Sequence, residues 1–186
     1  DPYSIYQTSC TSVALARKMA LKEEAISRLE QAAILHDIGK IGIDINLLHK
    51  KGELTQADLD VLRLHPSIGV RILEPIGFLA PIRDIIEQHH ERFDGKGYPY
   101  GLTGKESLPE ARILAVCDTY DAMTSDRPYR RALPHEVAIR EIRDHAGTQF
   151  DPSIAAAFIA LCEEGGLPGE SIWSQGTGPF QVRRSG

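Results

Sequence analysis

An all-α fold is predicted for this 186-residue chain by three features of its sequence. Apolar residues recur at three- and four-residue spacing, no long stretch alternates apolar and polar residues, and no segment repeats. Proline, glycine and small polar residues stand where the apolar stretches begin and end, as they do at helix termini. Val13 to Met19 reads as the end of a first helix. Glu23 to Asp37 makes a second, with Leu29, Ala32, Ala33 and His36 on one face, and Gly39 is expected to stop it. Thr55 and Asp58 resemble a capping box that opens a third helix running to His65, where Pro66 closes it and begins the next. Pro81 opens a further helix with Ile82, Ile85, Ile86 and His89 on one face. Residues 94–104 hold too many glycines for a helix and form a loop. Pro109 to Met123 is helical, with Ala111, Leu114, Ala115, Asp118 and Ala122 in register. Two more helices follow, Pro134 to His145 and one capped by Asp151 with Pro152 at its first position. The tail from Gly165 is rich in Gly, Ser and Pro, so one domain at 1–164 and a flexible flank at 165–186 are expected.

Composition narrows the function. Hydrophobic residues make up 42% and charged residues 25%, which is ordinary globular usage. A net charge of -5 argues against a nucleic-acid polymer as partner, because such binding needs many Lys and Arg contacts to phosphates. An anionic substrate must instead meet a local basic cluster. Cys10, Cys117 and Cys162 stand far apart without a CxxC pair, which disfavours a zinc ribbon or a disulfide scaffold and suits a reducing cytoplasm. No apolar run approaches the roughly 20 residues that cross a bilayer, so no membrane span is expected. The chain opens at Asp1 without a methionine, as a piece of a longer protein would.

Several apolar helix faces finish in groups that can bind metal. His36 and Asp37 end one stripe, His89 and His90 another, and His65 lies on the side of Val61 and Leu62. Asp118 sits midway along an apolar face, where an unpaired carboxylate would be too costly to bury. It needs a cation. One histidine on such a face is more often a hydrogen-bonded core residue than a ligand; six such groups converging reverse that judgement. Imidazoles and carboxylates without thiolates suit iron, manganese or zinc at a catalytic site. Lys40 just past the HD pair, Gly95, Gly97 and Gly101 around Tyr98, and Arg127 and Arg130 in DRPYR read by themselves as a solvated lysine, a surface turn and a charged loop.

The strings HDIGKIGI at 36–43, HHERFDGKGYPYGL at 89–102 and ARILAVCDTYDAMTSDRPYR at 111–130 resemble the HD-GYP family of bacterial cyclic di-GMP phosphodiesterases. The resemblance spans about Val13 to Phe158 and includes AGTQFDP at 146–152. It implies two divalent metal ions, iron or manganese first and zinc, magnesium, nickel or cobalt as alternatives. Asp37 would bridge them, with His36 and Asp118 on the first and His65, His89 and His90 on the second. A hydroxide between the ions would attack phosphorus, giving the linear dinucleotide, GMP or both. Lys40 would be a catalytic lysine beside Asp37, stabilising charge on the phosphate. Tyr98, Arg127 and Arg130 would bind base and phosphates. Asp121, one turn after Asp118 on the same side, is counted with the substrate-binding residues as a group that orients a ligand or Lys40, and its own position suits a cap or a core hydrogen bond equally. The family also implies an upstream regulatory or sensory domain, GGDEF-type partners and possible homodimers.

The chain departs from the family pattern in one place that matters. A histidine expected on the first helix, upstream of HD, falls on Ser4 when ALARKMAL at 14–21 is extended back without gaps, and on Tyr3 or Gln7 with a small shift. Asp44 and Ile45 also differ, but in a loop. Two other functions follow from this reading: a module that binds the nucleotide or a partner without turnover, and an HD-type hydrolase acting on a different cyclic dinucleotide or nucleotide.

Overall fold

The structure is a computed structural model that describes residues 2–126 and 131–168. It is helical, as expected, and the described residues form no strand beyond two isolated bridges, Asp94 with Thr103 and Ala146 with Phe150. The helices are α1 (Pro2–Lys18), α2 (Glu23–Leu35), α3 (Ile45–Leu48), α4 (Gln56–Leu62), α5 (His65–Leu73), α6 (Arg83–Gln88), α7 (Pro109–Thr124), α8 (His135–Asp144) and α9 (Pro152–Glu163). Short 3-10 turns occupy Ile38–Gly42, Gly77–Ile82 and Gly104–Glu106.

α1 packs on α2 and α7, and α7 in turn meets α2, α6, α8 and α9. Leu15 and Ala16 of α1, Leu29, Ala32 and Ala33 of α2, and Ile113, Leu114 and Cys117 of α7 fill the centre without exposure. Alanines there let the helix axes approach closely while the branched side chains supply most of the buried apolar area.

Sequence signals locate most termini. Thr55 and Asp58 form a capping box, and Asp151 caps α9 by accepting from the Ser153 N–H at 2.8 Å. Three boundaries differ. α2 ends at Leu35, with His36 as its C-cap, and the chain tightens into the 3-10 turn instead of running on to Asp37. The third helix ends at Leu62, so His65 does not close it but opens α5, with Pro66 in the first turn. Proline's missing N–H has no intrahelical partner at that position, so it starts a helix without cost. Pro81 lies in the 3-10 turn before α6. The flank expected at 165–186 lies outside the described residues from 169 onward.

Gly39 stops no helix by a left-handed turn. It is required for a different reason: a Cβ there would sit 1.8 Å from the His65 carbonyl oxygen and 2.5 Å from the Gly69 nitrogen. The 3-10 turn after His36 and Asp37 therefore lies directly on the backbone of α5, which carries His65 alongside them.

Candidate functional site

Three helix ends deliver histidines in the same way. Nδ1 of His36 lies 2.7 Å from the Ala33 carbonyl, Nδ1 of His65 2.8 Å from that of Leu62, and Nδ1 of His89 2.6 Å from that of Ile86. A carbonyl only accepts, so each Nδ1 carries the hydrogen and each Nε2 keeps a lone pair. Those lone pairs converge. Ligand atoms of His65, His89 and His90 lie within 4.8 Å of one another, and so do those of His36, Asp37 and His89. His36 Nε2 is 3.6 Å from both Asp37 Oδ2 and Asp118 Oδ1, and His65 Nε2 is 3.5 Å from Asp37 Oδ1. All six groups expected at one place are together, and His89 stands between the two halves.

The donors are short of partners. Among the described residues Nε2 of His89 is buried with no hydrogen-bond partner, and Nε2 of His65 faces Nε2 of His90 at 3.2 Å. Bare lone pairs held this close need a cation or a proton between them. The cluster is able to hold metal.

Charge follows burial. Burial, joined by the neighbouring imidazoles, holds His90 down at about 3 and His89 well below its usual range; it lowers His65 as well. These three stay neutral at pH 7, as metal ligation requires. Burial also opposes a proton on His36, but the carboxylates of Asp118 and Asp37 overcome it and push its pKa up to about 9, so without metal its Nε2 lone pair carries a proton at pH 7 that an ion would displace. Asp118 and Asp37 are in turn held below the carboxylate range, against their own burial, chiefly by His36.

Lys40 Nζ lies 2.5 Å from Asp37 Oδ2 at the rim. The 94–104 loop folds over the His65 and His90 side: the Tyr98 ring stacks on His90 with centroids 4.9 Å apart and 29° between planes. Arg63 lies over the Tyr98 ring, 5.6 Å from its centroid. Burial raises the Tyr98 phenol well above its ordinary range, so it remains a donor. Sequence reasoning singles out neither Arg63 nor Glu91, whose carboxylate binds the backbone of this loop; the signal for Glu91 is an acidic residue directly after the histidine pair.

Asp121 is 1% exposed, and its carboxylate accepts from the hydroxyls of Ser4 and of Ser125, the latter at 3.1 Å. It joins α1 to α7 in the interior rather than lying open to a substrate. Ser4 thus spends its hydroxyl on Asp121. Arg127 and Arg130 lie outside the described residues. Of the histidines not expected at the site, His49 and His145 are exposed, whereas His135 is half-buried and pairs with the Tyr120 hydroxyl at 2.7 Å.

Bundle and cluster together define a helical protein with a built place for metal. The sequence profile of the HD domain family matches residues 5–154, and the chain belongs to that family. It is 42% identical over 154 residues to a cyclic di-GMP phosphodiesterase of Thermotoga maritima, covering 81% of this chain and 41% of that protein. It is 34% identical over 143 residues to 3'3'-cGAMP-specific phosphodiesterase 3 of Vibrio cholerae, covering 77% of this chain and 31% of that one. The chain thus spans less than half the length of these relatives. Among solved structures, Bd1817, described as an HDG"Y"P protein from Bdellovibrio bacteriovorus, shares the fold with a TM-score of 0.70 at 23% identity, over 87% of this chain and 52% of that one. These matches bear out the HD-GYP resemblance. No helix among the described residues is long and apolar enough to cross a membrane.

Proposed function

We propose that this domain is a metal-dependent phosphodiesterase that hydrolyses cyclic di-GMP to the linear dinucleotide, GMP or both. The observation that carries the proposal is the convergence of Nε2 lone pairs, fixed by three backbone carbonyls, on two carboxylates. His36 and Asp118 would hold one divalent ion, His65, His89 and His90 a second, and Asp37 both. Iron or manganese suits this donor set best, with zinc, magnesium, nickel and cobalt as alternatives. When bound, the ions would supply Lewis acidity toward a phosphate and make water more acidic near neutral pH.

The chain's own residues do the rest. Lys40, held at the rim by Asp37, is placed to reach a non-bridging phosphate oxygen and stabilise charge that grows there. Tyr98 would bind the dinucleotide through its protonated phenol, since His90 and Arg63 already lie against its ring. Arg127 and Arg130 would grip phosphate with forked bonds. Burial of the histidines keeps water from competing for their lone pairs.

The test is metal analysis with an assay on cyclic di-GMP, using anaerobically prepared protein reconstituted with ferrous iron or manganese. Turnover that vanishes on chelation is expected. A folded, metal-loaded chain that cleaves no cyclic dinucleotide would overturn the proposal. The resemblance to a 3'3'-cGAMP-specific enzyme favours a second substrate reading, and parallel assays on 3'3'-cGAMP decide between the two. Ser4 favours a receptor reading, since a hydroxyl bound to Asp121 is a poorer ligand than an imidazole. There, nucleotide would bind without turnover, and Ser4→His would raise both bound metal per chain and rate at limiting metal.

A further inference from the structure

Glu91 directly follows the histidine pair, is 4% exposed, and has no ion-pair partner among the described residues. Its carboxylate is satisfied instead by the substrate loop. Oε1 accepts from the N–H of Tyr100 at 2.7 Å and of Gly101 at 3.1 Å, and Oε2 from that of Leu102 at 3.0 Å. Three consecutive backbone donors aimed at one buried anion make a strong clamp, because charge-assisted bonds gain strength away from water.

Two further contacts tie the other side of the loop to the same turn. The Tyr98 N–H donates to the His90 carbonyl at 3.2 Å. Gly97 lies flat on the turn: a Cβ there would come within 2.3 Å of the Arg92 nitrogen and 2.6 Å of the Glu91 Cα. Tyr98 is therefore held between an anchor at residue 98 and a clamp at 100–102, both built on the residues that carry His89 and His90. Its ring stacks on His90 as a consequence.

We infer that Glu91 is a positioning residue, which acts through Tyr98 by setting the loop in the register that presents the ring beside the metal-ligating cluster. The inference rests on the proposed role of Tyr98 in binding the dinucleotide. Glu91 gives its carboxylate to the loop backbone and is not among the cluster's converging donors, so its removal should spare metal content and change nucleotide recognition.

The experiment compares the reconstituted chain with Glu91→Ala, Glu91→Gln and Tyr98→Ala, alone and combined, reading KM, kcat and metal per chain on cyclic di-GMP. Glu91→Ala should raise KM about tenfold or more, with kcat changed less and metal unchanged. Glu91→Gln keeps an oxygen for Tyr100 and Gly101 but turns an amide NH2 toward the Leu102 N–H, so it should raise KM less than alanine does but measurably, and it carries the test if the alanine variant does not fold. In a Tyr98→Ala background Glu91→Ala should add less than about twofold, because neighbours that act as a unit are not additive. An unchanged KM, a full additive effect, or loss of metal would make Glu91 a merely structural residue. Amide hydrogen exchange separates this inference from the functional one. If the unmodified chain cleaves no dinucleotide, the functional reading falls, and Glu91→Ala must still speed exchange at Tyr98 and at 100–102 while α7 stays protected; equal exchange at Tyr98 overturns the positioning role.

Discussion

Asp37 stands where the halves of the cluster meet, with one oxygen facing His65, the other facing His36, and Lys40 bound at 2.5 Å. His89 is also shared by both halves, but as a wholly buried imidazole. Asp37→Ala is expected to lower phosphodiester hydrolysis by about 100-fold or more, since even residues behind the ligands cost 10- to 100-fold. Metal per chain should fall with it, and helical circular dichroism should stay unchanged because the side chain is half-buried at the rim. Normal turnover by the folded variant would show that the cluster does no chemistry. At this scale the sequence is informative: His36, Asp37, His65, His89, His90 and Asp118 each mark a polar group on or beside an apolar stripe, and all six meet.

At the scale of elements, Asp151 shows how a local signal becomes a tertiary one. It caps α9 through Ser153, as the Asp-Pro pair predicts, and also pairs with Arg112 of α7. Burial raises its pKa, but the Ser153 bonds and Arg112 outweigh that and hold it below the ordinary carboxylate value. The folded pKa is thus below the unfolded one of about 3.9, so its stabilisation is present above that pH and lost as pH falls through the folded value. Asp151→Ala should cost ~1–3 kcal/mol at pH 7 in denaturant unfolding, and the gap from the unmodified protein should shrink below about pH 4. A gap independent of pH would mean the carboxylate charge does not contribute.

Gly39 makes the second case. A methyl group there would meet backbone atoms of α5, which cannot swing aside as a side chain can. Gly39→Ala is therefore expected to destabilise by ~1–3 kcal/mol and to weaken metal binding by moving His65 away from Asp37. Thermal unfolding and metal titration check both; an unperturbed metal affinity would show that the contact sets packing alone.

For the whole molecule, the cluster joins the ends of α2 and α6, the start of α5 and the middle of α7. An ion that binds only the folded arrangement stabilises all of it, by about 2.7 kcal/mol at a hundredfold excess over its dissociation constant. Chelation should then lower the melting temperature by roughly 5–10 °C for a domain of this size. The same shift in Asp37→Ala would mean the chelator acts elsewhere.

The sequence by itself determined the helical class, most termini and the set of histidines and carboxylates that meet. Apolar spacing reports which face of a helix is buried, and capping residues report where its backbone donors run out; both are local facts. Only the tertiary structure decided that His65 opens α5, that Gly39 is small because α5 crosses it, that Asp121 is buried against Ser4, and that Arg63 and Glu91 reach the 94–104 loop. Each of these depends on where a carbonyl, an N–H or a helix end from a distant part of the chain arrives in space. A periodic pattern carries no record of that direction.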